Sequence, residues 1–92
     1  MNYNGSRVAR IRVDAGLTQE QAAKNIGRRM KRKTLSARYL GFVERGREKP
    51  SAELVRAMAA EYKRTVQDIK RALRQERMAF LSGLKEADRA AG

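Results

Sequence analysis

The chain has no cysteine, no histidine and no tryptophan, and only one proline, Pro50. Without cysteine there are no disulfides and no thiolate nucleophile. Without histidine as well, zinc sites of the usual kind and imidazole acid–base chemistry are excluded together. The missing cysteines agree with a reducing cytoplasm, which is the expected location. No run approaches the roughly 18 consecutive apolar residues that a bilayer span requires. The opening Met1-Asn2-Tyr3-Asn4-Gly5-Ser6 has no apolar core of the signal-peptide kind. Strand-like alternation is absent, and so are a nucleophile–base pair and a phosphate-cradling glycine loop. The chain therefore does not read as an enzyme, and no cofactor or metal is expected.

What is present points elsewhere. Ninety-two residues suit one domain with a modest core. Ala, Leu, Arg, Lys, Gln and Glu dominate, which favours helix, and the many alanines favour helices packed closely. The net charge is +12, and residues 28–49 alone hold nine Lys or Arg against two Glu. A positive field concentrated in this way attracts a polyanion, nucleic acid before an anionic membrane.

Five helices can be placed by caps and spacing. Ser6 caps the first, with Val8, Ile11 and Ala15 inward, Arg7, Arg10 and Arg12 outward, and Gly16 as its stop. Thr18 and Gln21 form a capping box for the second, whose small apolar face is Ala22, Ala23 and Ile26 and whose expected end is Gly27. A basic run, Arg28-Arg29-Met30-Lys31-Arg32-Lys33, follows, with Met30 a candidate anchor to the core. Thr34 or Ser36 caps the third helix, which turns Leu40 and Val43 inward and ends at Gly46. Ser51 caps the fourth, with Leu54, Val55, Met58 and Tyr62 inside and the Tyr62 hydroxyl reaching the surface. Thr65 caps the fifth, where Asp68 suits the helix dipole and Ile69, Leu73, Phe80, Leu84 and Ala87 continue one face. Ser82-Gly83 offers a place for a break or bend. The scattered acidic residues read as capping groups and ion-pair partners.

Three fragments, Gly16-Leu-Thr-Gln-Glu-Gln-Ala-Ala, Val43-Glu-Arg-Gly-Arg and Pro50-Ser-Ala-Glu-Leu, resemble the Cro/C1-type (XRE) helix-turn-helix family over residues 6–74. The resemblance implies an all-α, five-helix lambda-repressor-like domain. It also implies a second helix crossing the DNA backbone and a third, the recognition helix, lying in the major groove. The family's base-reading positions fall on Ala37, Arg38 and Phe42, and its phosphate-contacting positions on Gln19, Arg45 and Arg47. The chemistry agrees. Thr18 and Gln19 can offer donors to a phosphate. The fork of Arg38 matches guanine O6 and N7, and Tyr39 can meet a base or a phosphate. Phe42 can meet a thymine methyl if it faces outward, or pack inside if the helix is rotated. Gly41 either permits close approach to DNA or is merely tolerated.

The sequence departs from the family pattern twice. Between Gly27 and Ser36 it carries about seven residues more than the usual turn, which lengthen the turn, extend the second helix or begin the third early. These extra residues make the turn before the recognition helix basic and add Arg28, Arg29, Lys31, Arg32 and Lys33 to the expected phosphate contacts. Lys63-Arg64 stands where the family often has Gly-Val, so Lys63 is expected in a left-handed backbone.

The expected division is a DNA-binding domain over 1–74 and a C-terminal helical extension over 75–92. Met78, Phe80, Leu81 and Leu84 of the extension are the candidate dimerisation surface. The expected function is sequence-specific binding of double-stranded DNA by a homodimeric transcriptional regulator that occupies an operator. An antitoxin-type module, with an unknown second protein partner, is the related alternative. A basic RNA- or ribosome-associated protein would need clustered stacking aromatics, which are lacking. A peripheral membrane protein would need a basic amphipathic helix with large exposed apolar residues, for which residues 66–87 are a distant candidate; no membrane partner is expected.

Overall fold

The computed structural model describes residues 6–31 and 35–91, with side chains up to residue 83. Five helices follow one another: α1 (Arg7–Asp14), α2 (Gln19–Arg29), α3 (Ala37–Glu44), α4 (Ala52–Tyr62) and α5 (Val66–Ala91). No strand occurs among the described residues.

Every helix starts on the hydroxyl residue that the sequence nominates. The backbone N–H groups of Ala9, Gln21, Tyr39, Leu54 and Asp68 donate to the side chains of Ser6, Thr18, Ser36, Ser51 and Thr65 at 2.9–3.1 Å. The Thr18 N–H donates in return to Gln21 Oε1 at 3.0 Å, completing the capping box. A cap of this kind is worth about 1 kcal/mol. The ends are equally local. After α1 the chain turns at Gly16 with φ +80°, and the Leu17 and Gly16 N–H groups bond back to Arg12 and Val13. The same paired pattern closes α3 at Gly46 and α4 at Lys63, whose φ of 55° is the left-handed backbone expected there.

The helices enclose one core. Val8, Ala22, Ala23, Ile26, Leu40, Val43, Leu54, Met58, Tyr62, Ile69 and Leu73 are among its buried members. Met30 is buried with them, so the basic run is pinned to the core at its midpoint, as expected. Leu35 and Tyr39 lie partly buried against the same cluster.

Five sequence expectations are corrected. Gly27 does not end α2; it lies buried inside the helix, which continues through Arg28 and Arg29 to a left-handed Lys31. Two residues of the basic run thus extend α2, and the turn to α3 is correspondingly shorter. On α1, Ala15 is exposed, and Arg12 is not outward but 1% exposed. The Tyr62 hydroxyl does not reach the surface; it is buried and has no hydrogen-bond partner among the described residues. Burial, with the nearby Glu44 charge, holds its phenol well above the ordinary value. Lastly, α5 runs through Ser82 and Gly83 without interruption.

Helix α5 also crosses residue 74 without a break, and its next turns are bonded to the domain. The Arg7 N–H donates to Glu76 Oε1 at 2.7 Å, and Arg77 Nη1 donates to the Gly46 carbonyl at 2.8 Å. At Gly46, a Cβ would stand 2.5 Å from the Glu76 carbonyl oxygen, so this glycine is set both by its φ of +79° and by the backbone of α5 beside it. Further along, Met78 is 62% exposed and Leu81 41%. The Leu84 and Ala87 side chains and residues Arg32, Lys33 and Thr34 lie outside what is described.

Candidate nucleic-acid interface

The relation of α2 to α3 is set by a charge cluster inside the fold. Arg12 of α1 and Glu44 of α3 are each at most 1% exposed, with Nε to Oε2 at 2.6 Å. Arg12 Nη1 donates to the Leu17 carbonyl at 2.8 Å. Gln19, the first residue of α2, donates from Nε2 to Glu44 Oε1 at 2.9 Å. One carboxylate therefore ties α1, α2 and α3 together. Its burial would be costly alone; the guanidinium and the Gln19 amide offset that cost and fix the geometry.

Glycine at position 41 belongs to the same arrangement. A Cβ there would meet Gln19 Nε2 at 3.1 Å. Gly41 is buried, and its missing Cβ leaves room for the amide of Gln19 at the start of α2.

Around this anchor the expected site residues are arranged as follows. Arg38 is exposed in the first turn of α3. Ala37 and Tyr39 beside it are half-buried. Phe42, one turn on, is half-buried too, and the guanidinium groups of Arg38, Arg45 and Arg47 stand 5.5, 5.6 and 4.9 Å from its ring centroid. Phe42 is thus not part of the core: its half-buried ring stands at the surface against three arginines. Thr18 is exposed at the α2 N-terminus, and Gln19 is held on Glu44. The first residue of α2 thus meets the last residue of α3 through Gln19 and Glu44, and the first turn of α3 meets the start of the following loop at Phe42.

The basic run divides. Arg28 and Lys31 are exposed. Arg29 donates from Nε to Glu61 Oε1 of α4 at 2.8 Å, and Asn25 donates to the other oxygen at 3.0 Å. These contacts, Arg29 first, outweigh burial and hold the Glu61 carboxyl below its ordinary value. Arg29 is thus engaged in joining α2 to α4. Of the apolar residues on the extension, Phe80 is half-buried with the Arg77 guanidinium 6.0 Å from its ring, leaving Met78 and Leu81 as the exposed pair.

Sequence reasoning missed the Arg12–Glu44 pair. A signal was available: Arg12 follows Val8, and Glu44 follows Leu40, by four residues. Each therefore lies on the inward face of its own helix.

Among the described residues no helix is long and apolar enough to cross a membrane, and no cluster of metal-ligating side chains occurs. No curated protein and no solved structure is significantly similar to the chain. A family model described as "Helix-turn-helix domain" does match, over residues 5–72, in agreement with the Cro/C1-type resemblance. With five helices, capped as that fold requires and matched over most of its length, the chain belongs to the helix-turn-helix domain family.

Proposed function

We propose that the protein is a transcriptional regulator that binds double-stranded DNA sequence-specifically and acts by occupying an operator. The observation that carries this reading is the exposed Arg38 in the first turn of α3, on the Phe42-centred surface that also holds Arg45 and Arg47. A helix presented in this way places an Arg fork at base edges in the major groove, while neighbouring cations meet the backbone. Ala37, Arg38 and Tyr39 are assigned to base reading. Thr18, Gln19, Arg28, Lys31, Arg45 and Arg47 are assigned to phosphates, with Arg32 and Lys33 joining them through the basic run. The chain works as a homodimer in the cytoplasm, paired through the α5 face that exposes Met78 and Leu81. That face also favours a second reading, an antitoxin-type module that engages another protein there.

Selection of bound duplexes from a random pool tests the proposal. A recurring inverted repeat is expected, because one such domain reads too few base pairs to act alone. With about six phosphates neutralised, log K should fall against log salt with a slope near −5. Arg38→Ala should lose discrimination more than general affinity, by about 1–3 kcal/mol for a guanine contact. A pool that enriches nothing, with no salt-dependent binding to duplex, would refute the DNA reading. A particle that light scattering finds monomeric both free and on the selected site would refute the dimer.

A further inference from the structure

Three guanidinium groups around one aromatic ring is an arrangement that basic composition alone does not produce. Arg38, Arg45 and Arg47 are all exposed, and none has a carboxylate partner among the described residues. Three like charges on long stems would ordinarily spread apart into water. Here their guanidinium carbons stay 4.9–5.6 Å from the centroid of Phe42. The spacing is built into the chain: Arg38 lies one turn before Phe42 and Arg45 nearly one turn after, on the same face of α3, and Arg47 returns to the ring from the turn at Gly46. The negative faces of the ring attract the cations, and its apolar body covers their stems. The backbone on which Arg47 stands is itself held, because Arg77 of α5 donates to the Gly46 and Arg47 carbonyls at 2.8 and 3.3 Å.

We infer that Phe42 is a positioning residue, an aromatic hub that presets Arg38, Arg45 and Arg47 for contact with DNA rather than reading a thymine methyl itself. This rests on the DNA-binding reading above. With its side chain half-buried and its ring claimed by guanidinium groups, Phe42 contributes by sparing the arginines the entropy of being ordered on binding.

The hub is tested first without DNA. In the free, full chain the side-chain δ-CH2 protons of Arg38, Arg45 and Arg47 should carry upfield ring-current shifts. Phe42→Leu should move them toward ordinary values, and Phe42→Trp should keep them shifted. Arginine shifts that are the same in the wild type and in Phe42→Leu would overturn the hub, whatever the protein binds. On the selected duplex, Phe42→Leu should weaken binding about tenfold. The salt slope should stay unchanged, since no charge is lost, and Phe42→Trp should recover the affinity. Replacing operator thymines by deoxyuridine should affect wild type and Phe42→Leu equally. A deoxyuridine penalty seen in the wild type and absent in Phe42→Leu would instead make the residue a methyl reader and overturn the proposal. Strictly additive effects of Phe42→Leu with Arg38→Ala and Arg47→Ala would overturn it as well. Failure of the wild type to bind any duplex refutes the DNA reading, and with it the hub's role on DNA, while the ring-current shifts still decide whether the hub exists.

Discussion

Glu44→Gln should destabilise this protein strongly for a change of so few atoms. The substitution keeps the shape of the side chain and removes its charge. It leaves the Arg12 guanidinium, 1% exposed, facing a neutral amide where a carboxylate oxygen had stood 2.6 Å away. The amide also turns one acceptor into a donor, so it can no longer accept from both Arg12 and Gln19. An uncompensated buried charge of this kind costs about 3–5 kcal/mol. Small domains have about 5–15 kcal/mol in total, so about a fifth or more of the stability is at stake. At about 4–8 °C per kcal/mol for a chain of up to a hundred residues, the melting temperature should fall by at least about 12 °C.

The paired control is Arg12→Met with Glu44→Leu. Removing both charges removes the desolvation cost of both, so the double variant should be far more stable than Glu44→Gln and close to wild type. It should not recover DNA binding, because Gln19 loses the carboxylate that orients it and α2 loses that tie to α3. Urea unfolding followed by circular dichroism gives the stabilities, and binding to the selected duplex gives the second readout. A loss below about 1 kcal/mol for Glu44→Gln, with the two sites additive in the double variant, would refute the claim that this is a coupled buried pair.

The remaining predictions concern single positions. Gly16 and Gly46 have nearly the same φ, +80° and +79°, but a Cβ at Gly16 meets nothing within 4 Å while one at Gly46 meets the α5 backbone at 2.5 Å. Gly16→Ala should therefore cost only the left-handed penalty of about 1–2 kcal/mol, and Gly46→Ala that penalty plus about 1–3 kcal/mol of overpacking, read from urea midpoints. Tyr62→Phe removes a buried hydroxyl with no partner among the described residues and should raise stability by about 1 kcal/mol, seen as a higher melting temperature. Glu61 has its folded-state carboxyl pKa lowered by Arg29, so its contribution is whole above the ordinary carboxylate value of 4.5 and is lost as pH falls through the lower folded value. Glu61→Gln should accordingly lose stability at pH 7 and little at pH 3; equal losses at both would show that the ion pair contributes nothing.

The parts of this fold that could be read from sequence are those governed by local rules. All five N-caps and the glycine stops after α1 and α3 follow from a few neighbouring residues, and each stands where those residues place it, whereas the left-handed Lys63 follows from the family resemblance. Gly27 shows where locality fails. A glycine near the end of an apolar stripe is a fair stop signal, but here Met30 finds a buried seat three residues on, and docking it carries α2 through Arg29. Tertiary burial outweighs a weak helix-breaking preference of about 1 kcal/mol.

The candidate surface was legible in membership but not in arrangement. Arg38, Phe42, Arg45 and Arg47 could each be nominated from chemistry or family position. Helical spacing brings Arg38 and Arg45 to Phe42, but nothing in a one-dimensional count brings Arg47 to them, because it returns only through the bend at Gly46, and α5 backbone lies against that bend from thirty residues away. The Arg12–Glu44 pair is hidden for a related reason. Charge argues for the surface, whereas helical spacing places both residues on inward faces. In a chain with this much positive charge, an arginine at a core position is ambiguous by itself. The decisive observation is the second charge of opposite sign at a core position of another helix. Either residue alone would be a liability inside the protein; together, with Gln19, they join α3 to the two helices before it.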